Sequence, residues 1–155
     1  MRLISLEDIK KIIPGIDLFP IIKEGFVAYS SRNPVVPPVG EMTFDKPQGD
    51  VHIKYGYIKD DEYFVVKIAS GFYGDPDKGI IPTQGGMMLL FDKKTGKELA
   101  VLVDECYLTN IRTAIAGGIC AEILAPEKID CIGVIGTGVQ ARMQVLFLSD
   151  IIECR

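Results

Sequence analysis

The chain of 155 residues is 48% hydrophobic and 25% charged, a composition that supports a packed core and excludes an intrinsically disordered chain. Its net charge is -4, with 17 Lys and Arg scattered among 21 acids, so there is no basic stripe for a phosphate backbone and nucleic acid is excluded as a first choice of partner. The length fits one ordinary domain, or one domain with part of another.

Two short helices are predicted at the start. The first has Ser5 three residues before Asp8 as a capping box, and the second runs from about Leu18 through Phe26 and Tyr29, with Pro14-Gly15 between them. Residues 33–40, Asn-Pro-Val-Val-Pro-Pro-Val-Gly, cannot be helical, because three prolines remove donors and push their predecessors into extended conformations. They read as an extended linker or edge segment. Strands are predicted at Val51–Ile58, Tyr63–Ala69, Met87–Phe91 and Leu99–Val103, joined by turn residues at 59–61 and 93–96, which makes an antiparallel meander. Residues 71–79 are rich in turn formers and long for a hairpin, marking a candidate functional loop.

The period then changes. Thr109 reads as the N-cap of a helix in which Ile111, Ile115, Ile119 and Ile123 recur every fourth residue, ending before Pro126. Gly117 and Gly118 inside it cost about 1 kcal/mol each and mark a close approach to another element. Ile129–Ile135 reads as a short strand buried on both faces, leading into glycines and a further helix.

Four cysteines (Cys106, Cys120, Cys131, Cys154) form no C-x-x-C, and with His52 the single histidine no metal site is expected. Cys120 and Cys131 lie in apolar stretches and read as small buried hydrophobes rather than nucleophiles. The opening MRLISLEDIKK lacks the layout of a signal peptide, and no run approaches the roughly 18 apolar residues of a membrane span. A cytoplasmic protein with reduced thiols is expected.

Three stretches carry chemistry. Residues 133–142 read Gly-Val-Ile-Gly-Thr-Gly-Val-Gln-Ala-Arg, a predicted strand running into G-x-G-x-x-A and a helix. Gly136 allows the tight turn, Gly138 admits a pyrophosphate against the backbone, and Ala141 lets the helix pack closely, so phosphates meet free N–H groups. The acidic residue expected to read the ribose falls about 20 residues on, at or beyond Arg155. Second, Arg112 and Thr113 fall in the first turn of the Ile111–Ile123 helix, where a cation opposes the macrodipole. Two readings stand: Arg112 and free N–H groups hold an anion in a bidentate fork, or Arg112 is a surface residue paired with an aspartate such as Asp104. Third, Lys67 interrupts an apolar strand and is either solvent-facing or an inward charge that binds a carboxylate or exchanges protons. His52 and Lys54 alternate with Val51 and Ile53 and belong to an exposed or site-facing side.

Taken in order, Val66-Lys67-Ile68, Gly79-Ile80-Ile81-Pro82-Thr83, Lys94-Thr95-Gly96, Leu108-Thr109-x-x-Arg112-Thr113-Ala114 and Ile135-Gly136-Thr137-Gly138-Val139-Gln140-Ala141 resemble the ornithine cyclodeaminase and mu-crystallin family. The resemblance covers nearly the whole chain. It implies an α+β N-terminal domain with an antiparallel, open-barrel-like sheet over residues 1–125 that binds substrate and forms a homodimer. Residues 126–155 would begin an α/β Rossmann domain for NAD, with NADP possible. It also implies catalysis by Lys67 and Arg112, a substrate carboxylate held by both, and cofactor contacts from Thr83, Arg112, Gly136, Gly138, Val139, Gln140 and Ala141. Where many members carry a carboxylate-clamping arginine, this chain reads Pro38-Val39-Gly40-Glu41-Met42. Either the substrate then differs from ornithine, or Lys54 stands in for the cation.

The resulting expectation is an enzyme of this family that turns L-ornithine into L-proline and ammonia by hydride transfer at Cα. The alternatives are a cyclic ketimine reductase, for example of pyrroline-2-carboxylate, and an alanine dehydrogenase. The chain itself is expected to be an inactive N-terminal part, its catalytic aspartate lying further on. A reading of another class is a shortened, non-catalytic dimerisation module.

Overall fold

A computed structural model describes residues 1–74, 79 and 83–152. The chain forms two units: Met1–Gly15 with Ala28–Tyr107, and Ile16–Val27 with the residues from Leu108 onward.

Among the described residues the first unit is built on a seven-stranded sheet. Strand β1 (Arg2–Ile4) leads into helix α1 (Leu6–Ile12), whose start is fixed by the expected capping box: Ser5 Oγ accepts from the Asp8 N–H, and the Asp8 carboxylate accepts from the Ser5 N–H. A 3₁₀ turn over Ile13–Gly15 closes the helix. After helix α2 (Leu18–Ser30), β2 (Pro34–Val35), β3 (Gly40–Asp45), β4 (Gln48–Ile58), β5 (Tyr63–Phe72), β6 (Thr83–Asp92) and β7 (Glu98–Leu102) follow. The order is β1-β7-β6-β5-β4-β2, with β3 also paired to β4; every pairing is antiparallel except that of β1 with β7.

The meander is therefore present, with differences that have local causes. A three-residue β1 is too short to show a period, and it forms because β7 offers it an edge. Pro34 and Val35 pair as an edge strand, as the prolines allow, while β3 escapes sequence reading because Gly40–Asp45 carries no run of strand formers. Strand β6 begins at Thr83, four residues before the first apolar pair, since Gln84, Gly85 and Gly86 pair with Ala69–Gly71. Gly71 and Phe72, read as loop, complete β5; residues 75–78 of the candidate loop and 80–82 of the Gly79–Thr83 stretch lie outside the described residues. The β6–β7 turn is held by Asp92, whose Oδ1 accepts from the N–H groups of Lys94 and Thr95 and from the Thr95 hydroxyl, with Gly96 at φ 70°.

The second unit contains α2 (Leu18–Ser30) as far as Val27, α3 (Tyr107–Leu124) from Leu108, and α4 (Val139–Ser149). Helix α3 starts before Thr109, which lies in its first turn and is not its cap. Ile111, Ala114, Ile115 and Ile119 are buried, Ala114 and Ile115 completely, whereas Ile123 is exposed. The paired glycines do mark a close approach. A Cβ on Gly117 would lie 2.0 Å from Gln144 Oε1, and one on Gly118 would lie 2.7 Å from Ile151 Cδ1. Gln144 Nε2 donates to the Thr113 carbonyl and Gln140 Nε2 to both oxygens of Asn110, so two residues one turn apart on α4 seat it along α3.

Two expectations fail here. Residues 129–135 form no strand: among the described residues no neighbouring strand satisfies their backbone groups, and Ile135 is fully exposed. A Rossmann sheet is thus not seen. Cys120 and Cys131 are exposed while Cys106 is buried, because α3 turns position 120 outward and residue 131 sits in the unpaired segment.

Candidate functional site

Pleating sorts the sheet into two unlike faces. On β4, Val51, Ile53 and Tyr55 share one face, which β5 continues with Phe64, Val66 and Ile68. Asp50, His52 and Lys54 share the other, opposite Gly71, Ala69 and Lys67 on β5. Lys67 lies on this second face and is half-buried, and its direct cross-strand neighbour is Lys54, which is exposed. Like charges placed opposite one another destabilise a sheet.

Beside the two lysines stands a polar cluster whose members lie apart in the sequence pattern. His52 Nε2 lies 3.4 Å from Asp50 Oδ1, and the Tyr73 hydroxyl donates to Asp50 Oδ2. That bond and the carboxylate charge hold the Tyr73 phenol above its usual pKa. The signal was available: polar residues at 50, 52 and 54 alternate with apolar ones. Tyr73 arrives from the turn after β5, which no period encodes.

The far edge of this face is closed by the corner that joins β7 to α3. Asp104 is the one charged side chain found buried among the described residues, at 1% exposure. Its Oδ1 would lie 3.3 Å from a Cβ on Gly86, and Cys106 N and Sγ would each lie 3.0 Å from it. Glu105 and Cys106 turn the chain with φ of 48° and 64°, and the Glu105 N–H and Cys106 thiol donate to the carbonyls of Gly86 and Gly85. Burial pushes the Cys106 thiol pKa up, the Asp104 charge adds to the rise, and Lys67 opposes it. One sulfur therefore lies within electrostatic range of both the buried carboxylate and Lys67.

In the second unit, Arg112 is exposed on α3 and makes no hydrogen bond or ion pair among the described residues. The Thr113 hydroxyl is spent on the Thr109 carbonyl. The glycine segment has a definite form. Gly136 adopts φ 109°, a region open to glycine, and Gly138 is the extended N-cap of α4 with no side chain bonding into the helix. The first helical bond runs from the Arg142 N–H to the Gly138 carbonyl, so the N–H groups of Val139, Gln140 and Ala141 have no helical acceptor. No acidic residue occupies the first turn, and neither Gly136 nor Gly138 has an atom within 4 Å of where a Cβ would stand. A cavity of about 540 Å³ lined by Gly136, Thr137, Ala141 and Arg142 adjoins the loop. Uncapped donors, open glycines and an absent acid fit a diphosphate. The Gln140 side chain joins α4 to Asn110 and leaves Oε1 buried without a partner among the described residues, while its N–H stays at the open helix start. Thr83 opens β6, exposed, opposite Phe72.

Residues 3–155 match the model of the ornithine cyclodeaminase/mu-crystallin family. An uncharacterized cyclodeaminase of Sinorhizobium fredii is 33% identical over 151 residues, covering 96% of this chain and 45% of its own length. The alanine dehydrogenase of Archaeoglobus fulgidus is 31% identical over 151 residues, covering 97% and 45%. Among solved structures, an archaeal alanine dehydrogenase dimer with bound NAD superposes with a TM-score of 0.85 at 29% identity, over 99% of this chain and 46% of that one. Thermococcus litoralis Δ1-pyrroline-2-carboxylate reductase, in complex with NADH and L-proline, gives a TM-score of 0.87 at 29% identity, over 97% and 46%. The chain thus spans less than half the length of these relatives. With motifs, sheet and glycine loop agreeing with a match over almost every residue, the chain belongs to the ornithine cyclodeaminase/mu-crystallin family.

Proposed function

We propose that this chain is part of an NAD(P)-dependent enzyme that transfers hydride at Cα of a small α-amino or α-imino acid. The observation that carries the reading is the cross-strand pair Lys54 and Lys67, two cationic residues on one sheet face. Solved relatives holding NAD, or NADH with L-proline, support it.

Lys67 takes the substrate α-carboxylate, the inward-charge reading of that residue, and Lys54 supplies the second cation on the same side. Arg112, free of protein partners among the described residues, has a guanidinium fork suited to a carboxylate or a phosphate. The N–H groups of Val139, Gln140 and Ala141, with Gly136 and Gly138 giving access, hold the diphosphate of the dinucleotide. When bound, the nicotinamide supplies the hydride donor or acceptor. The protein's own contribution is to fix the carboxylate and orient Cα, which removes much of the entropic cost of bringing the two reactants together.

A second ammonium on the substrate would stand beside Lys54, so the geometry favours imino-acid reduction or amino-acid oxidation over ornithine cyclisation. The apolar face bearing Val66 and Ile68, with Met42, Phe44 and Tyr55 each more than 40% exposed, suits association with a second copy into a homodimer. The longest reading frame that carries this chain should oxidise NADH when given pyrroline-2-carboxylate or pyruvate with ammonia. Ornithine turnover without either reduction would return the assignment to the cyclodeaminase, and an NADH-inert dimer would favour the non-catalytic module.

A further inference from the structure

Helix α4 opens on Gly138, which gives its first turn no side-chain bond. We propose that Gln140 is a positioning residue for the cofactor loop: its side chain, bonded to Asn110 on α3, holds the first turn of α4 in helical form from the side and leaves the N–H groups of Val139, Gln140 and Ala141 open to a diphosphate. This rests on the reading above, in which those groups hold the dinucleotide.

The need for such a support follows from the chemistry of the loop. A helix start is ordinarily held by an N-cap side chain that accepts from an N–H of the first turn, as Ser5 does for α1. At position 138 a serine or aspartate would occupy donors that a phosphate uses, and an aspartate would add a repelling charge. Glycine avoids both, but its backbone freedom leaves an uncapped turn prone to fray. Something other than a cap must hold the turn, without touching its N–H groups.

Gln140 meets that requirement. Its Nε2 donates to the Asn110 carbonyl at 3.2 Å and to Asn110 Oδ1 at 3.0 Å, and α3 is a firm base, with Ile111, Ala114 and Ile115 buried. Gln144, one turn further on, donates to the Thr113 carbonyl at 3.3 Å, so this side of α4 is committed to α3. Ala141, Arg142, Val145 and Leu146 instead line the cavity of about 540 Å³ beside Gly136 and Thr137. The clamp and the open donors therefore do not compete for space. A second observation separates Gln140 from an ordinary packing residue: its Oε1 is buried with no partner among the described residues. An unpaired buried carbonyl oxygen costs stability, which a methionine of similar length would avoid. Stability of the unit therefore does not account for a glutamine here, whereas a fixed first turn does.

The longest reading frame that carries this chain is titrated with NADH by fluorescence, as parent and variants, well below its melting temperature. Gln140→Met, which keeps the length and removes both bonds, should weaken NADH binding about ten-fold. Hydrogen exchange should quicken at the Arg142 amide, whose bond to the Gly138 carbonyl closes the first turn. Asn110→Ala removes one of the two acceptors, should weaken binding by a smaller factor, and carries the test if Gln140→Met does not fold. Gln144→Met breaks the bond one turn on and should leave NADH affinity within about two-fold of the parent, while lowering the melting temperature at least as much as Gln140→Met does. A Gln140→Met or Asn110→Ala protein that binds NADH as the parent does, or equal weakening by Gln140→Met and Gln144→Met, would overturn the inference and leave the diphosphate reading intact. A parent that does not bind NADH would overturn both.

Discussion

Gly86→Ala tests how tightly the Asp104–Cys106 corner closes the site face. The new methyl would meet Cys106 N and Sγ at 3.0 Å and Asp104 Oδ1 at 3.3 Å. The backbone nitrogen cannot swing aside as a side chain would. It is pinned by left-handed φ values at Glu105 and Cys106 and by the bonds from Glu105 N–H to the Gly86 carbonyl at 3.2 Å and from the thiol to the Gly85 carbonyl at 2.9 Å. The corner must retreat as a body by a few tenths of an ångström. Overpacking of this kind costs about 1–3 kcal/mol, and reduced freedom of the unfolded chain returns about 0.4–1 kcal/mol. The net loss expected is about 1–2 kcal/mol, or a melting temperature lower by roughly 2–8 °C for a chain of this size. Guanidinium unfolding followed by circular dichroism should show a lower midpoint with unchanged slope. Cys106→Ala removes the sulfur and leaves the nitrogen, so the double variant should be more stable than the sum of the single effects by about 0.5 kcal/mol or more. A Gly86→Ala protein as stable as the parent, or more so, would refute the close packing of this corner on β6.

Three further outcomes follow from the same structure. Ile115→Ala, at a wholly buried position on α3, should cost about 2–5 kcal/mol by equilibrium unfolding, whereas Ile123→Ala, exposed on the same helix, should change stability by about 0.5 kcal/mol or less. Cys120 and Cys131 should react with a thiol reagent at neutral pH well before Cys106, whose thiol is buried and held protonated by burial and by Asp104. Since the folded Cys106 keeps its proton to higher pH than the unfolded chain does, stability should fall as pH rises from the ordinary thiol range towards the raised value, and Cys106→Ala should flatten that slope. At the acid end, hydrogen bonds from Thr95 and Lys94 hold the Asp92 carboxyl below its usual range. Its contribution is present above the ordinary aspartate pKa and lost as pH falls through the lowered one, so Asp92→Asn should reduce the acid sensitivity of the β6–β7 turn measured by amide exchange.

How much of this was legible depended on whether a residue's role was local. The capping box at Ser5 and Asp8, the helix through Ile111, Ile115 and Ile119, and the central strands were readable because periodicity and capping act within a few residues. Gly117 and Gly118 were readable as a close approach, since helix interiors seldom keep two glycines without a neighbour that needs the space. What escaped depends on partners distant in sequence. β1 exists because β7 is there to pair with it, and β6 starts early because β5 accepts its glycines. The failure at Ile129–Ile135 is the converse: an apolar run of the right length does not become a strand without a paired neighbour. Within the site, the alternation of Asp50, His52 and Lys54 was visible, but only register placed Lys54 against Lys67 and brought Tyr73 onto Asp50.

The most direct test of hydride transfer at Cα uses the longest reading frame carrying this chain, NADH deuterated at C4, and a small α-imino acid. Mass spectrometry of the amino-acid product should show deuterium at Cα, and Lys67→Met should abolish its appearance while NADH binding persists. NADH that binds without any label reaching the product, or label transfer unaffected by Lys67→Met, would contradict the account.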